Sequence, residues 1–148
     1  MALEDFRYQL PIRVVFRDVD YYRHVNNAVY ITWTESARID YCKVAFDRAL
    51  GAPVNVIMAS QTFAYERQAK YDDRLVIGAR ISRIGTKSLD MRYEIWRGDE
   101  RMGHGVSALV AYDYENGESV RVPDEWRRKI AAYEIVAPDG VTTAGGES

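Results

Sequence analysis

The sequence holds a single cysteine among 148 residues, and Cys42 alone can form neither an intrachain disulfide nor a cysteine-based zinc cage. Net charge is also scarce. A formal −2 gives no electrostatic case for nucleic acid or for an anionic membrane as partner. No apolar run is long enough to span a bilayer, and Glu4, Asp5 and Arg7 interrupt any signal-peptide pattern, so a cytoplasmic protein is expected. No internal repeat is found. What is present is ordinary globular material, 47% hydrophobic and 28% charged, of a length that makes one domain whose core needs no covalent staple.

Phe6, Tyr8, Leu10, Ile12, Val14 and Phe16 fall at every second position, with Arg7, Gln9, Arg13 and Arg17 among the intervening ones. This is a half-buried strand, and if the extended backbone runs on, Asp18 and Asp20 share its buried parity. From about Asn27 to Leu50 the period becomes helical. Tyr30, Trp33, Ala37, Tyr41 and Val44 form an apolar stripe. Thr32, Ser36, Asp40, Lys43 and Asp47 form a narrow polar one, while Ile31 and Ile39 fill much of the rest. Asn26 or Asn27 can cap this helix, and Gly51 and Pro53 end it. Strand-like runs follow at Val54–Gln68, Arg74–Ile84, Ser88–Trp96 and Arg101–Tyr114, then an "ENG" turn and a short run at Ser119–Val122. Pro123 opens a short helix over Asp124–Tyr133. Residues 1–135 read as one domain and 136–148 as a patternless, disordered tail. A helix that is apolar nearly all round cannot lie on a sheet with its back to water. The expected fold is therefore α+β, an antiparallel sheet of five or six strands wrapped around one long central helix, with a second copy of the chain completing the cover.

Between the first strand and that helix stands "DVDYYRHVNN", Asp18 to Asn27. Polar groups placed beside a buried helix cost free energy unless they find partners. Local readings account for much of the stretch. Two aspartates after a strand make a solvated turn or an Asx-type cap, with Asp18 a partner for Arg17 or Arg23. Asn26 and Asn27 are capping residues, and His24 fixes the loop by hydrogen bonds or orients a substrate. Glu35 and Arg38 form an i,i+3 pair. Tyr30, Trp33 and Tyr41 belong to the core or to an interface, and Phe63 and Tyr65 alternate on the second strand. His104 reads as a satisfied core histidine and Cys42 as a small core residue. A chemical reading stands beside these. A carboxylate set just ahead of a helix start offers a base or nucleophile together with free N–H groups for a developing oxyanion. Hydrolysis of a thioester needs little more, because a thiolate leaves readily without a metal.

"D-x-D" ahead of "HVNN", followed by Tyr30, Trp33, Glu35, Ala37 and Arg38, resembles the hotdog-fold acyl-CoA thioesterases, in particular the 4-hydroxybenzoyl-CoA thioesterase-like family. The resemblance spans roughly Phe6 to Tyr133 and includes "FAYERQAKYDDRL" (Phe63–Leu75) and "VPDEW" (Val122–Trp126), while "HVNNAVY" is similar to the long-chain acyl-CoA branch. It implies a hotdog fold and hydrolysis of a fatty-acyl or aryl-CoA thioester. Asp20 would be the general base or nucleophile, and the backbone N–H of Asn27 would face the thioester oxygen. His24, Asn26, Tyr30, Phe63 and Tyr65 are the implied substrate-binding residues. No metal or cofactor is implied, coenzyme A being part of the substrate. Acyl carrier protein is an alternative thioester carrier, and the assembly implied is a homodimer or homotetramer. Several relatives carry Gly and Val between the Asp and the helix, and His or Tyr at the Asn27 position. Here the loop is "YYRHVN", and Gln68 replaces a common proline. Arg23, Arg67 and Lys70 are candidates for the phosphates of CoA. Two other readings stay open. Asp20 with His24 supplies the acid–base pair of a hotdog-fold hydratase or dehydratase, although its spacing is one residue short and the usual Asn-Pro is missing. A non-catalytic acyl-CoA binding module would use the pocket alone.

Overall fold

Strands β1 (Tyr8–Arg13), β2 (Val56–Tyr65), β3 (Arg74–Ile84), β4 (Ser88–Arg97) and β5 (Glu100–Asp113) form one antiparallel sheet in the order β1–β3–β4–β5–β2. The structure is a computed structural model that describes residues 1–47 and 54–141. A two-residue strand, β6 (Glu118–Ser119), pairs with the end of β5. Helices α1 (Asn27–Ala45) and α2 (Asp124–Tyr133) complete the α+β architecture. Alternation decides which face of the sheet is dry. Leu75, Ile77, Ala79 and Ile81 on β3, and Leu89, Met91, Tyr93 and Ile95 on β4, are all buried. Register sets Ile77 opposite Ile95 and Ala79 opposite Tyr93. Tyr30, Trp33, Ala37 and Tyr41 of α1 join them in one core. Each large side chain among these contributes about 1.5–3 kcal/mol by leaving water. Register shifts at Met58/Ser60, Ile81/Arg83 and Ile95/Trp96 add the local twist that curls the sheet around α1.

The first strand is shorter than its alternation implies. Arg13 lies opposite Arg74, the first residue of β3, and the chain ahead of Arg74 turns away at Asp72, whose φ is 69°. Hydrogen bonds from Val14 N to Asp73 O and from Asp72 N to Val14 O are the last rungs. With no neighbour left to pair, Phe16–Asp18 winds into a single 3₁₀ turn, and Phe16 is 78% exposed. Asp18 and Asp20 therefore do not continue the buried parity of β1.

The long helix also departs from expectation. It ends at Ala45 rather than near Leu50, while Leu50 and the expected terminators Gly51 and Pro53 lie outside the described residues. Val44 and Ile39 are exposed, so one chain covers only one side of α1. β2 forms an edge of the sheet with most of its side chains exposed.

Up to Val141 the segment expected as a disordered tail carries hydrogen bonds. It runs beside β3 beyond the end of β1, with Asp139 N donating to Ser82 O and Ile84 N donating to Asp139 O. Glu134 starts this extension. Its Oε2 accepts from Ile81 N at 2.9 Å and from the Tyr41 hydroxyl, both in the interior. Burial pushes the Glu134 carboxyl above the usual carboxylate range, and the Tyr41 and Ile81 donors, with Arg80 and Arg7, offset only part of that. The folded chain thus keeps this proton at pH values where the unfolded chain has lost it. The associated stability is complete below the unfolded pKa and is lost as pH rises through the folded one. Urea titrations from about pH 4 to about pH 8 should show Glu134→Gln gaining on the wild type as pH rises, by up to about 1.4 kcal/mol per pH unit within the titration window. A difference independent of pH contradicts this assignment.

Candidate active site

The start of an α-helix leaves amides with no partner inside the helix, and each must be accounted for. At α1, Asn26 is the N-cap, and its Oδ1 accepts from Ala28 N at 2.9 Å. Its carbonyl accepts from Val29 N, and its own N–H donates to Asp18 O, both at 2.9 Å. That leaves Asn27. Its N–H has no acceptor among the described residues.

The loop ahead of the helix is tied back on itself. Asp20 N donates to His24 O, and Arg23 N to Asp20 O, each at 2.9 Å. Asp20 Oδ1 accepts from Tyr22 N at 2.9 Å, with a longer contact to His24 N at 3.4 Å. This is the Asx turn of the local reading, and it uses one carboxylate oxygen. Oδ2 has no partner among the described residues. Val25 N donates to Ala69 O, and His24 bridges Lys70, so the loop is fastened to the segment after β2. Asp18 does not pair with Arg17 or Arg23; its Oδ2 accepts from Val15 N at 2.9 Å.

Asp20, His24, Asn26, Asn27, Tyr30 and Tyr65 all line one open cleft of about 800 Å³. The Tyr65 hydroxyl donates to Asn27 O at 3.1 Å, and the Tyr30 hydroxyl accepts from Ala69 N at 3.0 Å. These two bonds hold the helix start against β2 and the chain that follows it. Phe63 is not among the residues that line the cleft. It packs behind it, 5.7 Å from the Tyr30 ring and 4.9 Å from that of Tyr65. Phe63 lies close over β5, where a Cβ on Gly103 or Gly105 would come within 2.6 or 2.8 Å of its ring.

Sequence reasoning missed one important wall, Glu66. Arg101 grips both its oxygens at 2.7 and 2.9 Å, and His104 Nδ1 lies 3.1 Å from Oε1. The Arg101 guanidinium, with help from His104, pulls the Glu66 carboxyl down to about 2. Glu66 is therefore a fixed anion at neutral pH, with no appetite for a proton. Its only signal in the sequence was its place at the end of the alternation in "FAYER". His104 is satisfied, as expected, but by Glu66 and not in the core, for its side chain is 31% exposed. Glu35 and Arg38 pair loosely at 3.9 Å. Among the described residues no three His, Cys, Asp or Glu side chains gather as a metal site, and no helix is long and apolar enough to cross a membrane.

Residues 14–130 match the thioesterase-like superfamily. The chain belongs to that superfamily. A thioesterase from Thermus thermophilus, solved with coenzyme A and Zn, is 30% identical with a TM-score of 0.78, and the match covers 88% of this chain and 96% of that one. A thioesterase-superfamily structure from Jannaschia sp. CCS1 is 25% identical with a TM-score of 0.76, over 88% of this chain and 84% of that one. The uncharacterized protein YsmA of Bacillus subtilis is 27% identical over 129 residues, 84% of this chain and 86% of its own. The sheet curled on α1 is the hotdog fold, and the superfamily makes this chain a thioester hydrolase.

Tyr30 anchors the architecture of the cleft, because Ala69 is fully buried and the phenol is the acceptor for its N–H. Tyr30→Phe should cost about 1–3 kcal/mol in urea or thermal unfolding, the penalty of a buried donor left without a partner. Unchanged stability would show that the bond does not fasten this corner.

Proposed function

We propose that the protein hydrolyses a fatty-acyl or aryl coenzyme A thioester, with Asp20 as general base or nucleophile and the Asn27 N–H as oxyanion donor. One observation carries the reading. The single unsatisfied amide of the α1 start and a carboxylate with an uncommitted oxygen border the same cleft. In the general-base route, Asp20 Oδ2 removes a proton as water adds to the thioester carbonyl. In the nucleophilic route, Oδ2 adds directly, the thiolate leaves, and water hydrolyses the resulting anhydride. Either way the carbonyl oxygen becomes an anion, and the Asn27 N–H meets it at the positive end of a 19-residue helix. The C–S bond then breaks, and the departing sulfur takes up a proton. A positioned base is worth about 10²–10⁴ in rate. One oxyanion donor is worth roughly 10²–10³. Glu66, held as an anion by Arg101, leaves Asp20 as the carboxylate for this task. The coenzyme A bound to the Thermus thermophilus relative supports coenzyme A as carrier.

The working unit is a homo-oligomer. β2 offers a free sheet edge, and Ile39 and Val44 leave α1 bare on one side, 59% and 51% exposed. A second copy that extends the sheet along β2 would cover both.

Asp20→Asn keeps an oxygen for the Tyr22 amide and so keeps the loop, yet it removes the base. Thiol release from a panel of fatty-acyl and aryl-CoAs should fall about 10²–10⁴-fold in the folded variant. Full activity in that variant overturns the role of Asp20. Sedimentation of the wild type should give at least twice the mass of the chain, and a monomer contradicts the assembly.

A further inference from the structure

The cleft beside Asp20 is not equally polar all round. His24, Glu66, Arg67 and Gln68 make most of its wall hydrophilic. The exceptions are Val25, Tyr30 and Tyr65 around the helix start, and Tyr22, which stands 75% exposed on the loop. The hydroxyls of Tyr30 and Tyr65 are engaged with Ala69 N and Asn27 O, so these two residues offer a ligand ring carbon. Tyr65 is moreover bonded to Asn27 itself. An acyl chain whose carbonyl lies at the Asn27 N–H finds its apolar surface on this side, and a hydrophilic carrier is turned toward the other.

Directly behind the two tyrosines is Phe63. Its ring lies 5.7 Å from that of Tyr30 and 4.9 Å from that of Tyr65, and the two tyrosine rings are 5.2 Å apart. The three rings form one cluster, and Phe63 is the member that does not reach the cleft. Beneath it stands no side chain. Gly105 is its cross-strand neighbour on β5, and a Cβ on Gly103 or Gly105 would come within 2.6 or 2.8 Å of the ring. Beyond the glycines, β4 sets Ile95 opposite Gly103 and Tyr93 opposite Gly105, both fully buried. One phenyl ring thus fills the space between the tyrosines and the backbone of β5. Were it removed, the glycines have no side chain to move into the gap.

We propose that Phe63 is the stop that limits the length of the acyl chain. The chain runs from Asn27 along Tyr65 and Tyr30 and ends against the phenyl ring, so longer chains are turned away. Phe63 then acts by closing the pocket rather than by lining it. A ring seated on backbone yields little to an extra methylene, and one methylene too many or too few in an apolar pocket changes kcat/KM about 10–200-fold. The proposal rests on the acyl-CoA reading above and deepens it by naming what sets the range of acyl groups.

The test is thiol release from straight-chain acyl-CoAs, acetyl to palmitoyl and below their micelle concentrations, by the wild type, Phe63→Leu and Phe63→Ala. In the wild type kcat/KM should fall about tenfold or more for each methylene past a definite length. Both substitutions should move that limit to longer chains, Phe63→Ala further than Phe63→Leu. The ratio of long-chain to short-chain kcat/KM should rise about tenfold or more. A merely structural loss lowers all lengths alike and leaves the ratio where it was. Phe63→Leu keeps an apolar side chain at the position and carries the test should Phe63→Ala not fold. No length limit in the wild type, or an unchanged ratio in the folded variants, removes the stop and leaves the hydrolase standing. If no ester is cleaved, the hydrolase reading fails, and the stop is judged by calorimetry with free fatty acids of the same lengths. It survives if a variant admits longer acids than the wild type, and it falls if the admitted lengths are the same or no acid binds.

Discussion

Which amide of α1 is left without a partner is settled by one residue. Asn26 takes the second and third donors of the helix on its own two oxygens and sends its N–H back to Asp18. The donor that escapes is Asn27, the one nearest the loop that carries Asp20. Every other feature of the site is arranged around this outcome. The Tyr65 hydroxyl holds the Asn27 carbonyl, Tyr30 holds Ala69, and Ala69 holds Val25. The helix start is thereby fixed on both sides before a ligand arrives, so its free N–H requires little reorganisation to meet developing charge.

Two carboxylates border the cleft, and their surroundings suit them to different work. Glu66 is gripped by a guanidinium on both oxygens and neighboured by His104, which makes it a permanent negative charge and a strut between β2 and β5. Asp20 is held by backbone amides on one oxygen only. A carboxylate locked in an ion pair has little tendency to take a proton, whereas one oriented through a single oxygen keeps the other for chemistry. The Asx turn and the catalytic role are therefore compatible readings of the same residue.

Much of this was legible in the chain. The alternation of β3 and the helical stretch after Pro123 have the bounds that their patterns imply, Arg74–Ile84 and Asp124–Tyr133. Each of those patterns reports burial by its own element, which is what periodicity measures. The failures share one cause, a dependence on a neighbour. Alternation persists through Phe16, but β1 has no partner after Arg13, because its neighbour turns away at Asp72. Helical periodicity marked Ile39 and Val44 as covered, yet both stand more than half exposed. In the site, the loop and its cap could be read from "DVDYYRHVNN", and the cleft joins Asp20, His24, Asn26 and Asn27 of that stretch to Tyr30 and Tyr65. Phe63 sits one layer behind because β5 has glycines beneath it. Glu66 escaped notice because its ion pair is made with Arg101 and His104, far along the chain.

The central claim is that one backbone hydrogen, and no side-chain atom at that position, stabilises the oxyanion. Replacing the amide between Asn26 and Asn27 with an ester by semisynthesis puts an oxygen where that N–H stands and keeps every side chain, though it also weakens the Asn26 carbonyl as acceptor for Val29 N. Turnover of the best acyl-CoA should then fall about 10²–10³-fold with little change in KM or in the unfolding temperature. Undiminished turnover in the ester-containing protein would contradict the account.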